Sequence, residues 1–123
     1  MSTLNLILTH AKNNHDIDYI FLTGDYPAHD VWRQDKFHNL ESARAVVEAI
    51  STHFPTTKVF PAMGNHEIFP VNMFPSVDDK NVPKLYDPEW LYNNLADLYK
   101  NWLPSDFQQT TLRDSGYYTV KAM

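Results

Sequence analysis

Two short strings combine residue types that bind cations with residue types that move protons. Gly24-Asp25 is followed by Tyr26-Pro27-Ala28-His29-Asp30, and further along comes Gly64-Asn65-His66-Glu67. Each puts a hard oxygen ligand and an imidazole where an apolar run breaks into a loop. An Asp carboxylate has two oxygens and can bridge two divalent cations, whereas an Asn carbonyl completes a shell without adding charge. Two metals ~4 Å apart can clamp the oxygens of a phosphoryl group during in-line displacement. Beside such a pair, His66 would face the substrate, either stabilising charge on the phosphoryl oxygens or protonating the leaving oxygen. His29, four residues past Asp25, could reach the same space from the other loop. Glu67 suits a supporting part, orienting a neighbour by hydrogen bond. Gly-Asp alone also begins many ordinary turns, and His29 alone could be structural. The two strings in this order, with one helix between them, carry the signal.

The elements that must position these residues are legible from periodicity. Asp18–Thr23 is a short apolar run rich in β-formers, suited to a buried parallel strand. A helix over roughly 34–54 follows, with Leu40, Ala43, Val47, Ile50 and Phe54 on one stripe, stopped by Pro55. Lys58–Met63 reads as a second strand, interrupted by Pro61. Strand, helix and strand make a βαβ unit, and ligands in open α/β sheets collect at the carboxyl ends of such strands. Asp25 and Asn65 both lie just past those ends, each preceded by a glycine that frees the backbone to turn.

Around this unit, residues 2–13 have Leu4, Ile7, Leu8 and Ala11 at helical spacing. Residues 68–88 hold four prolines and no periodic pattern, so a long, functional or mobile loop is expected. Over 88–102, Leu91, Leu95, Leu98 and Trp102 form a buried helical stripe, and Ser105 could cap one more helical turn. Gly116–Lys121 reads as a last strand. The fold class is therefore α/β, a βαβ unit with flanking helices and a final strand.

Composition narrows the classes. The chain has 123 residues, 43% hydrophobic and 14% aromatic, which is globular rather than disordered. A net charge of −5 without basic clusters argues against nucleic acid. No apolar stretch approaches the ~20 residues of a membrane span. Without cysteines, no disulfide framework can hint at compartment. His10, His15, His38 and His53 lie in helical or polar contexts and read as surface residues.

At three segments the sequence becomes specific. Gly24-Asp25-Tyr-Pro-Ala-His29-Asp30-Val-Trp32, Pro61-Ala-Met-Gly64-Asn65-His66-Glu67 and Pro70-Val-Asn72-Met-Phe-Pro75 resemble acid sphingomyelinase and its sphingomyelinase-like phosphodiesterase relatives, within the calcineurin-like metallophosphoesterase superfamily. The similarity continues through Trp90-Leu91-Tyr92, Trp102-Leu103-Pro104 and Gly116-Tyr117-Tyr118. The resemblance implies that Asp25 bridges two metal ions, that Asn65 ligates one of them, and that both are zinc. It implies a catalytic His66 and a His29 near the leaving group. The implied reaction is hydrolysis of sphingomyelin, a sphingolipid at a membrane surface, to ceramide and phosphocholine by metal-activated water, in a lysosomal or secreted setting. Nucleotides or other phosphodiesters are the alternative substrates, and Phe69, Met73 and Phe74 suit either a lipid-facing entrance or a cover for the helix at 88–102.

The family pattern also includes an upstream Asp-x-His, a downstream His and a Gly-His-x-His motif, none of which occurs here. On that pattern residues 1–123 are expected to be an internal part of the catalytic domain, an incomplete four-layer sandwich lacking its first and last metal-ligand segments. Two ligands fall short of the three or four that zinc takes from protein. Open, apolar strand edges would make the isolated chain marginally stable and catalytically silent. A different class stays open too: a truncated, non-catalytic product that binds a partner.

Overall fold

The computed structural model describes residues 2–76 and 78–121. Within them the order is α1 (Thr3–Asn14), β1 (Tyr19–Leu22), α2 (Lys36–His53), β2 (Lys58–Pro61), α3 (Glu89–Leu98) and α4 (Asp106–Ser115), with a single 3-10 turn at Val31–Arg33. Strands β1 and β2 pair in parallel, Tyr19 opposite Lys58 and Leu22 opposite Pro61. Pro61 has no N–H to give, and it sits where that costs least, at the end of the ladder. Beyond it, Ala62 N–H bonds Leu22 O at 2.7 Å and closes the pair.

Helix α2 is the crossover. Asp35 caps it by accepting the His38 N–H at 2.8 Å, so the helix begins at Lys36. Its buried stripe is Asn39, Ala43, Val47 and Ile50, and Phe54 closes it beneath Pro55. The expected stripe began at Leu40, which is only half-buried. Helix α1 rests on α2 and buries no residue completely. Leu4, Leu8 and Ala11 are half-buried, whereas Ile7 is exposed. His53 is not the surface residue expected from its context. It is half-buried and joins the two helices, with Nδ1 2.8 Å from Ala49 O and Nε2 3.2 Å from Thr9 Oγ1.

Helix α3 is shorter than its periodicity suggests. Tyr99 ends it, and Leu103 N–H folds back to Tyr99 O, so Trp102 and Leu103 pack from a turn. Ser105 then opens α4 through a capping box with Gln108. That helix runs ten residues rather than one turn. Its sequence is nearly all polar, and Leu112 is its single fully buried residue, so no apolar stripe announces it. Arg113 ties α4 to α3 through Asp97 at 2.6 Å and Asn93 O at 3.1 Å.

The expected last strand does not form over Gly116–Lys121. Among the described residues the segment has no ladder partner, and a strand is defined by its neighbour. It is held by a side chain instead, Tyr118 Oη donating to Pro61 O at 2.7 Å. Among the described residues between Pro61 and Glu89 there is neither helix nor strand, as the four prolines indicated. One core joins these parts: Ala43 and Val47 of α2, Leu91, Leu95 and Ala96 of α3, Tyr99, Leu103, and Leu112 of α4. Ile68 belongs to the same core, which anchors the Gly64–Glu67 turn from below.

Candidate metal and phosphoryl site

After β1 the backbone enters the left-handed region twice in succession, at Gly24 (φ 81°) and Asp25 (φ 58°). For aspartate this is a sparsely populated conformation, held only where the surroundings dictate it. Here a buried acid dictates it. Glu67, 1% exposed, accepts the N–H of Asp25 at 2.9 Å through Oε2 and that of Tyr26 at 2.7 Å through Oε1. Its Oε2 also accepts the N–H of Gly64, in its own turn. Successive N–H groups in a turn make a cradle for an anion, and here the anion is part of the protein. One carboxylate therefore joins the two strand-end loops.

A second carboxylate joins them from the solvent side. Asp25 Oδ1 accepts the His66 N–H at 3.0 Å. It lies so close to Gly64 that a Cβ there would fall 2.1 Å from it. Gly64 is needed for room, whereas Gly24 is needed for both room and its positive φ. The Asp25 side chain thus touches both chain neighbours of Asn65. Asn65 is itself exposed, and its Nδ2 donates to Asn72 Oδ1 at 2.6 Å. The nitrogen of that amide is engaged, and its oxygen is the atom an amide offers to a cation. Asn72 N–H returns to Asn65 O at 3.1 Å, folding the 70–74 loop onto the site.

His29 and His66 meet across the two loops, their ring centroids 4.8 Å apart and their planes tilted by 48°. His66 is half-buried, and its Nδ1 is buried without a hydrogen-bond partner among the described residues. All four residues singled out from sequence, Asp25, His29, Asn65 and His66, therefore lie on two loops in mutual contact. Among the described residues, however, no three or more His, Cys, Asp or Glu side chains gather to hold a metal ion. The donor types suit a divalent cation, yet their number is part of a shell and not a whole one.

Periodicity did not disclose three supports. Asn39, on α2, lies beneath the His66 turn, and an asparagine at the head of an apolar helical stripe was the available signal. Asn72, within Pro70–Pro75, has no spacing that sets it apart, yet its side chain holds the Asn65 amide. A tyrosine floor gave no local signal at all: Tyr26 Oη lies 3.2 Å from Tyr99 Oη, and Tyr118 reaches Pro61. Burial raises the phenols of Tyr26 and Tyr99 above the usual range, with the Glu67 charge adding to the effect. Burial also pushes Tyr118 up to about 12. The floor is therefore uncharged at any ordinary pH and acts as a hydrogen-bonding, not an ionic, layer.

Residues 1–123 match the family described as Calcineurin-like phosphoesterase. The chain belongs to that family. Calcineurin-like phosphoesterases use divalent metals, in keeping with the donor types on the two loops. Among relatives, the Dictyostelium discoideum protein named Sphingomyelin phosphodiesterase B is 38% identical over 106 residues, 85% of this chain and 15% of its own length. The Homo sapiens Sphingomyelin phosphodiesterase is 33% identical over 120 residues, 98% of this chain and 18% of its own. The Bos taurus protein named Cyclic GMP-AMP phosphodiesterase SMPDL3A is 35% identical over 118 residues, 93% of this chain and 23% of its own. The chain thus spans about a fifth of the length of these relatives. No helix among the described residues is long and apolar enough to cross a membrane.

Proposed function

We propose that residues 1–123 are part of the catalytic domain of a zinc-dependent phosphodiesterase of the sphingomyelinase type. Asp25 and Asn65 would hold part of a divalent-metal centre, with His66 and His29 facing the phosphoryl group. The remaining ligands would come from outside the described residues. The observation that carries this is the Asp25 carboxylate seated between Gly64 and the His66 N–H, with His29 over His66. When bound, a pair of divalent cations supplies Lewis acidity to the phosphoryl oxygens and lowers the pKa of water.

The chain's own residues do the rest. His66, fixed at its backbone by Asp25, presents an imidazole that hydrogen-bonds a phosphoryl oxygen. His29, at the leaving-group side, gives a proton to the departing oxygen as the P–O bond breaks. With sphingomyelin, that oxygen leaves in ceramide, water adds its oxygen to phosphorus, and phosphocholine is the other product. Exposed Trp32, Met73 and Phe74, on the loops that carry His29 and contact Asn65, suit a substrate presented at a lipid surface. A lysosomal or secreted setting goes with that substrate. The likeness to a relative named for cyclic GMP-AMP favours a second reading, a nucleotide phosphodiester on the same site. The non-catalytic reading, a chain that binds a partner, has the exposed Tyr19 and Phe21 beside Phe60 in its favour.

A chimera tests the function. This chain replaces the matching segment of the human sphingomyelin phosphodiesterase, and sphingomyelin hydrolysis is measured in mixed micelles. The expected result is activity that drops by at least ~100-fold on His66→Ala, the scale of a lost proton-transfer or charge-stabilising group. A folded chimera with no activity, or activity indifferent to His66→Ala, would overturn it. The isolated chain is expected to show no zinc-dependent hydrolysis of a chromogenic phosphodiester.

A further inference from the structure

The apolar stripe of α2 is broken at its first position. Ala43, Val47 and Ile50 continue it, and one turn ahead of Ala43 stands Asn39, 1% exposed. A leucine would satisfy the helical pattern, whereas a buried amide carries a desolvation cost unless its polar atoms find partners. Nδ2 reaches three, the carbonyl oxygens of His66, Glu67 and Ile68, at 3.1, 3.2 and 3.4 Å. Oδ1 is buried with no partner among the described residues. Everything this side chain donates goes to one turn of backbone, and its own acceptor is left unsatisfied. Places where a sequence departs from its local pattern at a cost are where function is to be sought.

Two amides of the same turn are held by carboxylates. Glu67 takes the Gly64 N–H, and Asp25 takes the His66 N–H. Two of the turn's amides are thus gripped by carboxylates and three carbonyls by Asn39. The geometry points to Asn39 as a positioning residue: by fixing the 66–68 carbonyls it sets the direction in which His66 leaves the turn. The His66–His29 ring contact and the bond from His66 N–H to Asp25 follow from that direction. An apolar residue at 39 would hold α2 against the turn but leave its peptide planes free to rotate. This role rests on the reading of Asp25, Asn65 and His66 as a phosphoryl site, since positioning matters only if those groups act together.

Two variants of the full chain test it without metal. Asn39→Leu removes both polar atoms, and Asn39→Asp keeps the shape while removing the donor. NMR follows the NOE between the His29 and His66 rings and the exchange rate of the His66 amide. In both variants the NOE is expected to vanish and the His66 amide to exchange at least tenfold faster, while the Leu95 and Ala96 amides change less than twofold. A folded variant that keeps the NOE and the His66 protection overturns the role. So does global loss of protection in both variants, which would assign Asn39 to the fold alone. The chimera with the human sphingomyelin phosphodiesterase separates the two levels. If that folded chimera is inactive, the phosphoryl reading fails while the metal-free result on Asn39 stands.

Discussion

Glu67→Ala is expected to destabilise the chain by about 3 kcal/mol or more and to open the two strand-end loops before the core yields. The reason is the number of donors that lose their acceptor at once. The N–H groups of Asp25, Tyr26 and Gly64 all end on this carboxylate, and it is almost fully enclosed. Each buried donor left unpaired costs ~1–3 kcal/mol, less where water can enter. Domains of ordinary stability have only about 5–15 kcal/mol to lose. Urea unfolding gives the total, and amide exchange at residues 25, 26 and 64 shows where it falls. Glu67→Gln separates charge from shape: one oxygen remains to accept, while the new amide nitrogen faces an N–H. An alanine variant within about 0.5 kcal/mol of wild type, the range of surface substitutions, would contradict the clamp.

Gly24→Ala is expected to cost at least as much, for an unrelated reason. A methyl group at 24 would lie 2.0 Å from Gly64 N and 2.7 Å from the Met63 carbonyl carbon, both backbone atoms that no rotamer change can move. The residue also sits at φ 81°, which adds ~1–2 kcal/mol for any side chain. The loops would have to part, and the unfolding midpoint should fall by an amount matching ~3 kcal/mol or more. Gly64→Ala offers a contrast. Its Cβ would meet Asp25 Oδ1 at 2.1 Å and Cγ at 2.6 Å, side-chain atoms that can swing away, with only Asp25 N at 2.7 Å in the backbone. Most of that strain should fall on the Asp25 rotamer, so the fold survives better while the bond from His66 N–H is lost. Equal stability of Gly24→Ala and wild type would mean that the loops do not approach as described.

What the sequence made legible was whatever has a local period or a local break. The two strands, the crossover helix and α3 follow from apolar spacing, and the site loops from the point where each strand meets Gly-Asp or Gly-Asn-His. The convergence of Asp25, His29, Asn65 and His66 followed because parallel strands joined by one helix put their carboxyl ends on one edge. Interactions across sequence distance were not legible. Nothing near residue 99 announces that Tyr99 will meet Tyr26, and nothing near 39 announces the turn at 66. Helix α4 was legible only as one turn at its Ser105 cap, because a single leucine buries the rest. The last strand does not form: two aromatic and two β-branched residues in a row, Tyr117 to Val120, carry extended preference, whereas a ladder needs a paired neighbour.

Metal mapping bears most directly on whether two loops share one cation site. Manganese is titrated into the isotope-labelled chain, and broadening of each backbone amide is followed by NMR. The expected pattern is selective broadening around Asp25, Asn65 and His66, abolished by Asp25→Asn with the rest of the spectrum unchanged. Broadening confined to other acidic positions such as Asp78, Asp79 or Asp87, or a pattern indifferent to Asp25→Asn, would contradict it.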